Sequence, residues 1–156
     1  MIDEKRAEEV IWESTKSIFE TMIFLPIEKT QQQLSTDQET SVTCSITFTG
    51  QLQGCFFVQC SMASAEVIAK SMLIDKSDTK LDDPEVLDAL GEVTNLILGS
   101  VKQDLSEDVS DLDISIPHSI KGMQVRPIVG REAKRINVLV KAGDEILKIA
   151  IYYRSV

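Results

Sequence analysis

Apolar residues recur along this chain at two different periods, and the order in which those periods alternate constrains the fold more than any other feature. Residues 3 to 24 carry a helical stripe of Ala7, Ile11, Ile18 and Met22, widened by Val10 and Phe19, and Pro26 predicts its end. From Ser41 the period drops to two: Val42, Cys44, Ile46 and Phe48 are apolar and Thr43, Ser45 and Thr47 between them polar, as in a half-buried strand. Gly50 to Gly54 predict a turn, and the unbroken apolar run Cys55-Phe56-Phe57-Val58 predicts a strand covered on both faces, followed by a short helix over Ser61 to Met72. Asp75 to Lys80 have turn composition without periodicity and read as a surface loop.

A second long helix opens at Asp83-Pro84, a capping residue followed by the imide at the first helical position, with Glu85 where the helix dipole favours negative charge. Its apolar spacing carries it to Lys102. After an acidic loop over Asp104 to Asp111, Leu112, Ile114 and Ile116 alternate up to Pro117, and a strand or loop follows through Gly122 and Val125 to Arg126-Pro127. Ile136, Val138 and Val140, then Leu147, Ile149, Ile151 and Tyr153, flank Lys141 to Glu145 as a hairpin. The mixture predicts an α+β fold, an antiparallel-rich sheet packed against long helices. A length of 156 residues at 43% hydrophobic content suits one core, so residues 1–156 are expected to form a single domain.

Several function classes are excluded or disfavoured. The net charge of −9 argues against a nucleic-acid partner, because phosphate binding rests on clustered Lys and Arg. Charge is uneven, with 8 basic and 22 acidic residues up to position 119 and 8 basic and 3 acidic residues after it. The later basic residues alternate with apolar ones and read as solvated strand faces. The opening Met1-Ile2-Asp3-Glu4-Lys5-Arg6 is charged and the apolar runs are short, so neither secretion nor a membrane span is expected, and a cytoplasmic setting is. Cys44, Cys55 and Cys60 have no CxxC spacing and no histidine nearby, so they read as reduced core residues and no metal site is predicted. With His118 as the sole histidine and no serine in a nucleophile-elbow setting, covalent catalysis is not indicated.

On the helix from Asp83, the residues Asp88, Glu92, Asn95 and Gly99 fall within a wedge of roughly 60°. Val86, Leu90, Val93, Ile97 and Val101 lie on the opposite side, so burial of the apolar face turns the polar stripe outward. Such a stripe can be no more than a solvated face. Two of its residues, however, do not help a helix: Asp88 and Glu92 repel at i,i+4 by a few tenths of a kcal/mol, and a helical Gly99 costs about 1 kcal/mol relative to alanine. A glycine on the exposed stripe would let a partner's backbone approach beside Asn95.

The run Asp88-Ala89-Leu90-Gly91-Glu92-Val93-Thr94-Asn95-Leu96-Ile97-Leu98-Gly99 resembles the helix motif of the CheC/CheX family of chemotaxis phosphatases, an acidic residue, three residues, Glu, two residues, Asn. Ile18-Phe19-Glu20-Thr21-Met22, the Phe48-Thr49-Gly50 to Gly54 turn, Pro117 and Gly122 resemble further family positions, so the likeness spans nearly the whole chain. The acidic stretch from Asp104 to Asp111 departs from the pattern, and no second Glu-x-x-Asn occurs in a suitable setting, which favours the single-site CheX branch over the two-site CheC branch.

The resemblance implies hydrolysis of the aspartyl phosphate of the response regulator CheY or a related receiver. Asn95 would orient the attacking water and Glu92 would pair with the regulator's lysine. Asp88 and Gly99 would contact the partner, with Asp88 either a rim contact or only a solvated helix residue. The chain would need no cofactor of its own, the magnesium belonging to the receiver's active site, and it would act as a homodimer; Leu139 and Ile146 add apolar side chains to the second faces of the last strands, which suits a dimer interface and equally covering helices. Two rivals stand beside this reading: a non-catalytic module of the same fold that binds response regulators or flagellar switch components, and a thioester enzyme of the hot-dog type, for which the chain offers no distinctive site.

Overall fold

The computed structural model describes residues 2–34, 40–73, 80–107, 109, 111–123, 125 and 130–156. The first helix, α1 (Glu4–Ile18), begins where the Asp3 carboxylate accepts from the Lys5 and Arg6 N–H groups. It passes into a single π-helical turn over Phe19–Ile23 and stops at Phe24, whose N–H donates to the Phe19 carbonyl and whose left-handed φ of 62° brings the Leu25 N–H to the same carbonyl at 3.2 Å. The stop therefore comes before Pro26. The wider turn also changes which side chains face inward: Phe19 and Ile23 are fully buried, whereas Met22, expected on the buried stripe, is exposed.

After β1 (Glu28–Lys29) come β2 (Ser41–Thr49) and β3 (Leu52–Ser61), an antiparallel hairpin in register from Ser41↔Ser61 to Phe48↔Gly54. The turn is confined to Gly50 and Gln51. Gly54, expected within the turn, lies inside β3, where a side chain is barred: a Cβ there would overlap the Tyr152 carbonyl oxygen on β7 (Glu145–Ser155). Cys55, Phe56, Phe57 and Val58 are all buried, on both faces of the strand as predicted. The helix α2 (Met62–Met72) is capped by the Ser61 hydroxyl, which accepts from Ser64 N–H, and the Ser64 hydroxyl in turn bonds the Glu145 carboxylate.

Next come α3 (Asp83–Asp104), the short β4 (Asp113–Ile114), β5 (His118–Gly122) and β6 (Lys134–Ala142), the last forming the predicted hairpin with β7. Among the described residues, seven strands make one antiparallel sheet in the order β1-β6-β7-β3-β2, with β4 and β5 both on the outer edge of β2. This is the α+β arrangement expected. The loop expected over Asp75 to Lys80 lies outside the described residues except for Lys80, as do Arg126-Pro127 and two positions of the acidic loop.

The helices α1, α2 and α3 pack on one sheet face over a large core, to which α3 contributes Val86, Leu90, Val93, Ile97 and Val101. The opposite face holds a small cluster of its own, Cys55, Phe57, Ala150 and Tyr152, to which no described helix contributes. Part of its cover is the chain leaving β5, since the Gln59 side-chain amide donates to the Val125 carbonyl at 2.8 Å. Alternation along β7 and β6 places buried Ile146 and half-buried Leu139 on this face as well. No helix among the described residues is long and apolar enough to cross a membrane.

Candidate functional site

The helix α3 starts one residue earlier than the Asp83-Pro84 pair suggested. Its capping side chain is Asp82, which accepts from Glu85 N–H at 2.9 Å, and Asp83 and Glu85 supply the negative charge in the first turn. From this fixed start the helix lies against the outer edge of the sheet, held there by three contacts at successive turns. Asp83 pairs with Lys121, the Ser119 hydroxyl donates to the Leu87 carbonyl at 3.2 Å, and Gly91 sits against Pro117. Helix and strand keep step because four helical residues rise about 6 Å and two strand residues about 6.6 Å.

The groove along this seam is lined by Pro84, Leu87, Asp88, Gly91, Glu92, Asn95, Pro117 and Ser119. Of the four residues singled out from the sequence, Asp88, Glu92 and Asn95 come together here, all exposed. Gly99 is exposed on the same stripe but opens into the neighbouring groove with Lys102, Gln103 and Asp111; a Cβ on it would meet nothing within 4 Å. Among the described residues, the Asp88, Glu92 and Asn95 side chains have neither a hydrogen bond nor an ion pair. Sequence reasoning did not single out Leu87 and Ser119, and the helical step of four from Gly91 back to Leu87 was the available signal for the first.

The chemistry open to such a groove is limited. It offers an amide with donors and an acceptor, and two carboxylates. His118 belongs to the sheet rather than to a loop; it pairs with Ser45, while its neighbour Ser119 pairs with Cys44 and faces α3, so the histidine lies on the face away from the groove. The three cysteines are free and buried. Burial pushes the Cys60 thiol up to about 12, with the Glu145 and Cys44 charges adding to it, and burial also raises Cys55. Neither is an activated nucleophile. No cluster of His, Cys, Asp or Glu among the described residues could hold a metal ion.

Comparisons with known proteins bear on the family and the fold. The sequence model of the family described as chemotaxis phosphatase CheX matches residues 42–140, which include the whole groove. The fold is similar to that of chemotaxis protein CheX from Vibrio vulnificus, at 21% identity over 99% of this chain and 100% of that one, with a TM-score of 0.75. It is similar to the CheX-CheY-BeF3-Mg complex from Borrelia burgdorferi, at 20% identity, 99% and 100% coverage and a TM-score of 0.75. It is also similar to the FliM middle domain from H. pylori, at 12% identity, 96% and 89% coverage and a TM-score of 0.66. No curated protein sequence is matched. With the family model covering more than half of its residues, the chain belongs to the CheX family of chemotaxis phosphatases.

Proposed function

We propose that this chain hydrolyses the aspartyl phosphate of CheY or a related receiver domain, acting as a single cytoplasmic CheX-like domain in a homodimer. The observation that carries the reading is the pair Glu92 and Asn95, one helical turn apart on the rim of the α3 groove, with no internal partner among the described residues. A carboxylate and an amide left unpaired on a firmly seated helix are preorganised for a partner's groups.

In this reading α3 enters the receiver's active site. The Asn95 amide holds a water in line with the phosphorus, its oxygen attacks, and the bond from phosphorus to the aspartyl oxygen breaks to give inorganic phosphate and a free carboxylate. Glu92 accepts from the receiver's lysine and fixes the pose by a charge-assisted hydrogen bond. The magnesium that neutralises the phosphoryl charge belongs to the receiver, and together with that lysine it offsets the repulsion between two acidic proteins. Asp88 contacts the receiver at the groove's rim, and Gly99 admits it farther along α3. The similarity to a CheX solved together with CheY, BeF3 and magnesium supports a receiver as the partner.

The test is binding to CheY from the same cell, with and without magnesium and beryllofluoride, and phosphate release when a small phosphodonor replaces beryllofluoride. Preferential binding of the activated receiver with accelerated phosphate release is the expected result. Binding without release would leave a non-catalytic regulator-binding module.

A further inference from the structure

Along α3, Leu87, Gly91 and Asn95 follow one another at steps of four residues and form one row about 12 Å long, drifting about 40° round the axis per step. All three line the groove. Gly91 keeps the row low in the middle, and Leu87 and Asn95 stand at its two ends. Burial divides the lining into two parts. Asp88, Glu92 and Asn95 are exposed and make a polar outer wall, whereas Gly91 is buried, Leu87, Pro117 and Ser119 are half-buried, and these four make the floor. The inner side of Leu87 packs on the core, which fixes its position.

The floor has little to offer a polar group. Pro117 has no N–H, Gly91 has no side chain, and the Ser119 hydroxyl proton is committed to the Leu87 carbonyl at 3.2 Å. A charge or amide carried onto this floor would lose its water and gain no partner, whereas an apolar side chain would lose nothing. The groove is thus laid out as interfaces are, apolar within and polar at the rim. A standard interface covers about 800 Å² on each partner, a patch roughly 30 Å across. A receiver centred on Asn95 therefore covers Leu87 about 12 Å away.

We propose that this floor takes an apolar side chain of the receiver, and that Leu87 determines specificity by favouring receivers that carry such a side chain on the side of the phosphorylated aspartate facing the start of α3. The proposal rests on the reading of the groove as the receiver site. A receiver with a polar side chain at that place is disfavoured by the bond it leaves unmade. Leu87 contributes to affinity and not to the chemical step, because it carries no group that could act on water or phosphate.

The test compares wild-type chain, Leu87→Gln, Leu87→Met and Asn95→Ala with CheY from the same cell. Phosphate release from a small phosphodonor in magnesium gives KM and kcat, and titration with beryllofluoride-activated CheY gives Kd. Leu87→Gln keeps a helix-forming side chain of similar length and puts an amide on the floor. It is expected to raise KM and Kd about tenfold at unchanged kcat, through the lost apolar contact and the unpaired amide. Leu87→Met should stay within about twofold, since it keeps the apolar volume. A second readout uses wild-type chain alone: in the complex with activated CheY, the Leu87 methyl protons should show intermolecular cross-relaxation with aliphatic or aromatic protons of CheY. Unchanged KM and Kd in Leu87→Gln, with wild type active and Asn95→Ala inactive, overturn the proposal and leave the phosphatase standing. If Leu87→Gln does not fold, the methyl contact decides: its presence supports the proposal and its absence overturns it. If wild type binds without releasing phosphate, the phosphatase reading falls, and the Kd ratio and the methyl contact support or overturn the role of Leu87. Absence of binding to CheY overturns both.

Discussion

Gly91 and Pro117 meet across the floor of the groove: a Cβ built on the glycine would lie 3.5 Å from Cβ of Pro117, with Sγ of Cys44 and Oγ of Ser119 each 4.0 Å away. The seam has room for one methyl group in ordinary van der Waals contact. Gly91→Ala should therefore fold and act like wild type, and the helix should gain up to about 1 kcal/mol from the better propensity of alanine. Gly91→Leu should lose about 1–3 kcal/mol by overpacking and displace Glu92 and Asn95 from the edge chain. Chemical denaturation of the two variants checks this, and equal stabilities would contradict it.

The other close approach lies in the sheet. Inside β3 a Cβ on Gly54 would overlap the Tyr152 carbonyl and lie 2.8 Å from the Tyr153 Cα, backbone atoms of a central strand that cannot turn aside. Gly54→Ala should cost more than about 3 kcal/mol, placing it among the severe backbone effects. A urea midpoint close to that of wild type would refute the assignment.

Cys60 sets a pH dependence. Its thiol has an ordinary value of 9.0 and is pushed up to about 12 in the fold, by burial first and then by Glu145 and Cys44. Above pH 9 the unfolded chain loses this proton while the folded chain keeps it, so the unfolded state gains and stability falls as pH rises from 9 toward 12. The slope from one such thiol approaches about 1.4 kcal/mol per pH unit. Denaturation between pH 8 and pH 10.5 should show stability falling above pH 9, with a shallower fall in Cys60→Ala. Equal slopes in the two proteins would contradict the burial account.

What the sequence disclosed depended on whether a residue's neighbours in space were also its neighbours along the chain. The helix α3 was legible because its cap, its proline and the spacing of Val86, Leu90, Val93, Ile97 and Val101 all lie within a few turns, and the same spacing turned Asp88, Glu92 and Asn95 outward. The hairpin of β6 and β7 was legible for the same reason. The misreadings concern distant partners. Nothing near Gly54 announces Tyr152, 98 positions away. A period of two marks Ile114 and Ile116 as alternating, but β4 ends at Ile114 on the edge of the sheet and Ile116 lies beyond it, and both are exposed. The π turn that turned Met22 outward is a slip of one residue, beyond the resolution of a helical stripe.

Glu92 divides binding from chemistry. If it accepts from the receiver's lysine, Glu92→Gln removes a charge-assisted bond worth about 1.5–3 kcal/mol and should raise KM about tenfold or more, with the larger part of kcat retained. A variant that loses kcat at unchanged KM would place Glu92 in the chemical step instead.

The most direct measurement is the decay of CheY phosphorylated in advance and freed of its donor, followed in magnesium with wild-type chain, with Asn95→Ala and with neither. Wild type should accelerate the decay, and Asn95→Ala should lose about a hundredfold or more of that acceleration through the misplaced water while still binding the activated receiver. Acceleration that survives in Asn95→Ala would contradict the assignment of Asn95 as the residue that positions the water.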